Sequence, residues 1–166
     1  MKKLVISILV LVVIGIGFYY GYQQSYQTPK EKIEAKKKVL RDTADNLFDA
    51  KQYTKAINAY QAVYEYYSEN DDKRGALMMI GLCYDSMKQS DKAIATYEGA
   101  IRDYPPTKGS PAIYFYLGWQ YHQTGQKEKA LAALNKCIEL CPDDSDPNRF
   151  PMKDARSMVT KLEKEK

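Results

Sequence analysis

The sequence predicts an all-α protein: a solenoid of three helical hairpins closed by a C-terminal capping helix and preceded by one apolar N-terminal helix. Three observations carry that expectation. From about Lys32 onward, apolar residues recur at three- and four-residue steps without β-branched alternation, which is the period of helices rather than strands. Breakers gather in three clusters, SENDD at 68–72, YPPTKGSP at 104–111 and CPDDSDPNRFP at 141–151. One amphipathic helix is written three times at a spacing of 37 residues: TKAINAYQAVYEYYS from Thr54, DKAIATYEGAIRDYP from Asp91 and EKALAALNKCIELCP from Glu128.

The elements follow in order. Residues 1–3 form a short basic start, Met1-Lys2-Lys3. Residues 4–22, LVISILVLVVIGIGFYYGY, carry no charge over 19 positions, just long enough for a spanning helix of about 20 residues. Phe18, Tyr19, Tyr20 and Tyr22 fall where aromatic side chains sit at headgroup level. The expectation is a retained single-pass signal-anchor. Its rival is a cleaved signal peptide, but the apolar run exceeds the usual length and no Ala-x-Ala-like site follows. Orientation signals conflict. Lys30, Lys32, Lys36, Lys37 and Lys38 favour a cytoplasmic C-terminal side, whereas the MKK start suits an exported domain. The reading adopted places the repeat domain outside the cytoplasm, periplasmic or extracellular, with the cytoplasmic side as the alternative.

Residues 23–31 read as a polar juxtamembrane linker, and the hairpins follow in phase. Small residues recur at Ala44, Gly81, Gly118 and Ala155, each followed at three by Leu47, Tyr84, Tyr121 and Met158. Leu40, Leu77 and Tyr114 precede them by four. Ala56, Ala93 and Ala130 come twelve later, then Tyr60, Tyr97 and Leu134, then Val63, Ala100 and Cys137. Small residues on both helices of a hairpin allow close approach, and large apolar neighbours fill the surrounding space. Turns are expected at Lys51-Gln52-Tyr53, Lys88-Gln89-Ser90 and Thr124-Gly125-Gln126, and Asp71 is expected in an inter-unit loop. A hairpin this small cannot bury its own faces, so stacking supplies the core.

The units resemble the tetratricopeptide repeat, whose pattern sets a bulky residue, Leu-Gly, Tyr, Ala, aromatic, Ala and Pro in that order. The second unit carries Leu77, Ile80-Gly81, Tyr84, Ala93, Tyr97, Ala100 and Pro105; the third carries Tyr114, Leu117-Gly118, Tyr121, Ala130, Leu134, Cys137 and Pro142. The first is weaker, with Ser68 in place of the proline. The resemblance implies a right-handed solenoid with repeats at 32–70, 74–107 and 111–144, and a capping helix at 151–164. In the cap, Ala155, Met158 and Leu162 continue the inner phase, while Lys153, Asp154, Arg156, Lys161 and Glu163 form a polar outer face.

Little in the chain speaks for chemistry. The net charge of +4 is modest and forms no aromatic-laced basic stripe, so no nucleic acid partner is expected. Cys83, Cys137 and Cys141 are an odd count without a disulfide or metal framework, and His122 is the sole histidine. The pairs Asp71-Asp72 and Asp143-Asp144 read as turn residues. No catalytic residue, metal site or cofactor is predicted, and the protein is not expected to be an enzyme.

Function is therefore expected on a surface. The resemblance implies that the first helix of each unit lines a concave groove. Unit one offers Lys38, Arg41, Asp42, Asp45 and Asp49; unit two Met78, Met79, Leu82 and Asp85; unit three Phe115, Tyr116, Trp119, His122 and Gln123. The candidate protein-binding residues are Met78, Met79, Leu82, Phe115, Tyr116, Trp119 and His122, receiving an apolar helix or peptide segment. Their apolar character argues against the family's clamp for acidic C-terminal peptides. The expected function is a membrane-anchored interaction module, scaffold or assembly factor, bound to the bilayer through residues 4–22. The alternative is an accessory subunit permanently packed in a larger membrane complex, with Tyr60, Tyr64, Tyr66 and Tyr67 as a second contact face. A third possibility leaves no groove: the C-terminal helix folds back over these residues, or Trp119 closes unit three against it.

Overall fold

The computed structural model describes residues 12–21, 28–106, 111–141 and 152–164. The chain divides into two compact units, Met1–Lys38 and Val39–Lys166. In the first, residues 12–21 are helical and leave Val12, Val13, Ile14, Ile16 and Phe18 exposed. The rest of the expected span 4–22 lies outside the described residues. Among the described residues no helix is long and apolar enough to cross a membrane.

Seven further helices follow: α1 (Pro29–Asp49), α2 (Tyr53–Tyr66), α3 (Asn70–Ser86), α4 (Ser90–Asp103), α5 (Ala112–Gln123), α6 (Lys127–Leu140) and α7 (Met152–Lys164). Two of them start earlier than the periodicity suggests. The Thr28 N–H donates to Glu31 Oε2 at 2.7 Å and the Glu31 N–H to Thr28 Oγ1 at 3.2 Å, a reciprocal capping box that starts α1 at Pro29. Three residues assigned to the linker are therefore helical. Likewise Asp71 and Asp72, expected in a loop, lie in the first turn of α3, where carboxylates suit the positive end of the helix dipole. The pair Asp143-Asp144 and Pro142 lie outside the described residues.

Each hairpin turn ends its first helix in the same way. Lys51, Lys88 and Gly125, 37 residues apart, adopt left-handed φ of 57°, 60° and 73°. At each, the next residue donates its N–H five residues back: Gln52 to Leu47, Gln89 to Tyr84 and Gln126 to Tyr121, at 2.9, 2.9 and 2.8 Å. With the matching bonds from Lys51 to Phe48, Lys88 to Asp85 and Gly125 to His122, all three are Schellman caps.

Within Val39–Lys166 consecutive helices pack in chain order from α2 to α7, and α3 also touches α5. Helix α1 joins through Ala44, fully buried with Ala56, and through Tyr60, whose hydroxyl donates to Asp45 at 2.7 Å. The small residues do what their register implies. A Cβ on Gly81 would stand 2.3 Å from Tyr97 Cε1, and one on Gly118 2.7 Å from Leu134 Cγ. The core forms two clusters, one around Tyr60, Val63 and Ile80 and one around Tyr97, Ile113 and Leu134, with Leu77 and Tyr84 packed against both. Helix α7 lies along α6 and inserts Ala155 and Leu162 into the second cluster.

Candidate functional site

Because the hairpins share one 37-residue register, side chains on their first helices can be compared position by position. Arg41, Met78 and Phe115 are equivalent; so are Asp42, Met79 and Tyr116; so are Asp45, Leu82 and Trp119. Along this face, polarity gives way to aliphatic and then aromatic side chains.

The structure brings part of this set together. A cleft of about 310 Å³ is walled by Arg41 and Asp45 of α1, Tyr60 and Val63 of α2, and Asp71, Asp72, Gly75, Ala76, Met78 and Met79 of α3. A second of about 200 Å³ lies between α3 and α5, lined by Asp71, Arg74, Gly75, Met78, Ala112 and Ile113. Met78 belongs to both. Leu82 is half-buried and lines neither. Phe115 meets Tyr116 edge-on at 5.7 Å, and Tyr116 stacks on Tyr97 at 6.2 Å and 17°, so these two rings serve packing as well as surface. Trp119 stays 38% exposed and meets the half-buried His122 edge-on at 6.4 Å. With α7 laid along α6, the C-terminal helix leaves Trp119 uncovered.

The comparisons with known proteins bear on these hairpins. Residues 75–107 and 111–144 each match a family model of the tetratricopeptide repeat. Two of the hairpins are tetratricopeptide repeats. No curated protein matches the chain. Among solved structures, the fold is similar to the type III secretion chaperone SycD of Yersinia enterocolitica in complex with a peptide of the translocator YopD. Identity is 21%, with 76% of this chain and 91% of that chain covered, and the TM-score is 0.64. It is similar to PcrH of Pseudomonas aeruginosa, at 18% identity, 82% and 96% coverage and a TM-score of 0.61. It is also similar to the first such domain of Spaghetti (RPAP3) bound to an HSP90 peptide, at 18% identity, 78% and 91% coverage and a TM-score of 0.58.

The repeat register also exposes residues that sequence reasoning missed. Arg74 is buried, donates to Asp71 Oδ1 at 2.6 Å and reaches the Tyr104 and Pro105 carbonyls at 3.4 Å, tying α3 to the end of α4. The spacing Asp71-x-x-Arg74 on one helix face was its available signal. Tyr60 and Tyr97 are equivalent, yet their hydroxyls differ. Tyr60 finds Asp45, whereas the equivalent of Asp45 is Leu82, so the Tyr97 hydroxyl is buried without a partner. Burial pushes both phenols well above their ordinary pKa, helped at Tyr60 by the Asp45 hydrogen bond and at Tyr97 by nearby Asp85.

Tyrosines expected as a second contact face turn inward or toward neighbours. Tyr64 shares a 2.9 Å hydrogen bond with Tyr104, and Tyr60 and Tyr67 are buried. Burial raises the Cys83 thiol to about 11 and the Cys137 thiol to about 12, so both stay neutral packing groups at physiological pH. Among the described residues no group of three or more His, Cys, Asp or Glu is arranged to hold a metal ion.

Proposed function

We propose that the repeat domain is a protein-interaction module whose first-helix face receives an apolar segment of a partner protein. The observation that carries this reading is Trp119, exposed on the first-helix face, together with half-buried Met78 and Met79, which line clefts that no element of the described chain fills. Methionine adapts its shape to a guest and tryptophan is favoured at binding hot spots, so the outer sides of these residues suit capture, although Met78 and Met79 also pack against the core. Relatives of similar fold support it, since SycD and the Spaghetti domain are each described in complex with a peptide.

The anchor belongs to the same proposal. Residues 4–22 hold the module at a membrane, and the bare apolar helix at 12–21 supports that placement. The repeat domain faces away from the cytoplasm; protease added to cells stripped of any outer membrane, with the inner membrane intact, then cleaves it, and full protection places it on the other side.

The test of the binding face is partner capture by tagged full-length protein from detergent, with Trp119→Ala and Met79→Ala as variants. Capture falls at least severalfold with each, while the far-ultraviolet circular dichroism is unchanged. Undiminished capture contradicts the assignment of the face. Recovery of the protein solely in a fixed-stoichiometry complex favours a permanent subunit instead.

A further inference from the structure

The electrostatics of this face narrow the chemistry of its guest. The chain carries a net charge of +4, but its groove is acidic. Asp45, Asp71 and Asp72 line the clefts. Asp49 lies close enough to the Tyr60 phenol to raise its pKa, and Asp85 does the same to Tyr97 and Tyr116. Against the three lining carboxylates the clefts hold two guanidinium groups, both engaged, and Asp49 and Asp85 add two further carboxylates nearby. Arg41 pairs with Asp72 at 3.0 Å and stacks over the Tyr67 ring at 5.1 Å. Arg74 is closed into α3 and the end of α4 by its bonds to Asp71, Tyr104 and Pro105. Asp49 and Asp85 form no ion pair among the described residues.

We infer that the guest is a cationic-apolar segment. A Lys or Arg at one end sits by Asp45 and Asp49 at the α1–α3 cleft, and an aliphatic or aromatic run continues past Met78 and Met79 to Trp119. This rests on the binding face proposed above and adds the guest's charge and direction. Complementary charge steers encounter and fixes register, and an acidic guest meets carboxylates at clefts whose two guanidinium groups are already engaged. Polarity along the face runs the same way, from Arg41 and Asp45 through Met78 and Leu82 to Phe115 and Trp119.

The test is selection of a random-peptide display library on immobilised full-length protein in detergent, at about 0.05 M and about 0.5 M salt. Enriched sequences are expected to carry Lys or Arg at one end of an apolar run, and to bind more weakly at high salt. Asp45→Asn, which keeps an acceptor for Tyr60, and Asp49→Asn should each weaken them about two- to fivefold. A photoreactive group at the cationic end should label residues 71–79. Enrichment of neutral or acidic sequences overturns the charge inference while leaving the binding face standing. Labelling of residues 115–122 from the cationic end overturns the direction. Absence of any enrichment that Trp119→Ala abolishes overturns the binding face and the inference together.

Discussion

Gly81→Ala tests the packing on which the groove is built. The added Cβ would meet Tyr97 at 2.3 Å from Cε1, 2.7 Å from Cζ and 2.8 Å from Cδ1. Carbon atoms pack at about 3.5–4.0 Å, so the ring must retreat by roughly 1.2 Å or more. It has little room: Tyr97 is 0% exposed and stacked against Tyr116. Overpacking of this kind costs about 1–3 kcal/mol, and the depth of the overlap puts it at the upper end. Alanine recovers up to about 1 kcal/mol of helix propensity, leaving a net loss of about 2 kcal/mol. For a domain of this size that lowers the melting temperature by roughly 5–10 °C, read by circular dichroism during heating and in urea. Gly99→Ala is the matched control, since its nearest new neighbour is Arg102 Nη2 at 3.8 Å; it should stabilise by about 0.5–1 kcal/mol. In a Tyr97→Ala background the Gly81→Ala cost should disappear. A Gly81→Ala protein as stable as wild type, or an equal cost in both backgrounds, would refute the close-approach reasoning.

Three other predictions follow from the repeat register and from burial. Tyr97→Phe removes an unpartnered buried hydroxyl and should be neutral or stabilising by about 1 kcal/mol, whereas Tyr60→Phe loses the bond to Asp45 and should destabilise by about 1 kcal/mol; urea midpoints compare them. Lys88→Gly relieves a left-handed φ of 60° at a Schellman cap and should raise stability by about 0.5–1 kcal/mol, while Gly125→Lys should lower it by a similar amount. Folding holds Cys83 and Cys137 neutral to about 11 and about 12, above their ordinary value near 9. The stability they confer is therefore complete below about pH 9 and is lost as pH climbs toward those values, so urea midpoints should fall steadily over that range; a flat profile would contradict it.

The period was legible because it is written in residue size. Gly81 and Gly118 sit where a Cβ would overlap a side chain of the partner helix, and Ala44, Ala56, Ala93 and Ala130 are fully buried as their spacing requires. Helix starts were less legible, because the residues that cap a helix also populate loops. SENDD reads as a breaker and residues 23–31 as a linker, yet Asp71-Asp72 and Thr28-Pro29 begin helices there. Met78, Met79 and Trp119 stood out in the sequence by their apolar character, but only the structure shows Met78 and Met79 half-buried against the core while Trp119 stays exposed. Tyr116 was harder to place, since only three-dimensional structure shows its ring stacked on Tyr97. Arg74 and the Tyr60–Asp45 bond were hidden for a related reason: each depends on partners far along the chain, which neither local period nor composition encodes.

Trp119 supplies the most direct test of the binding face, because it is the chain's single tryptophan and is 38% exposed there. A peptide enriched on the full-length protein is titrated in while Trp119 emission and peptide polarisation are recorded together. A saturable blue shift that tracks binding is expected, with weaker binding in Met79→Ala. Saturable binding that leaves Trp119 emission unmoved would place the partner elsewhere and contradict the binding face.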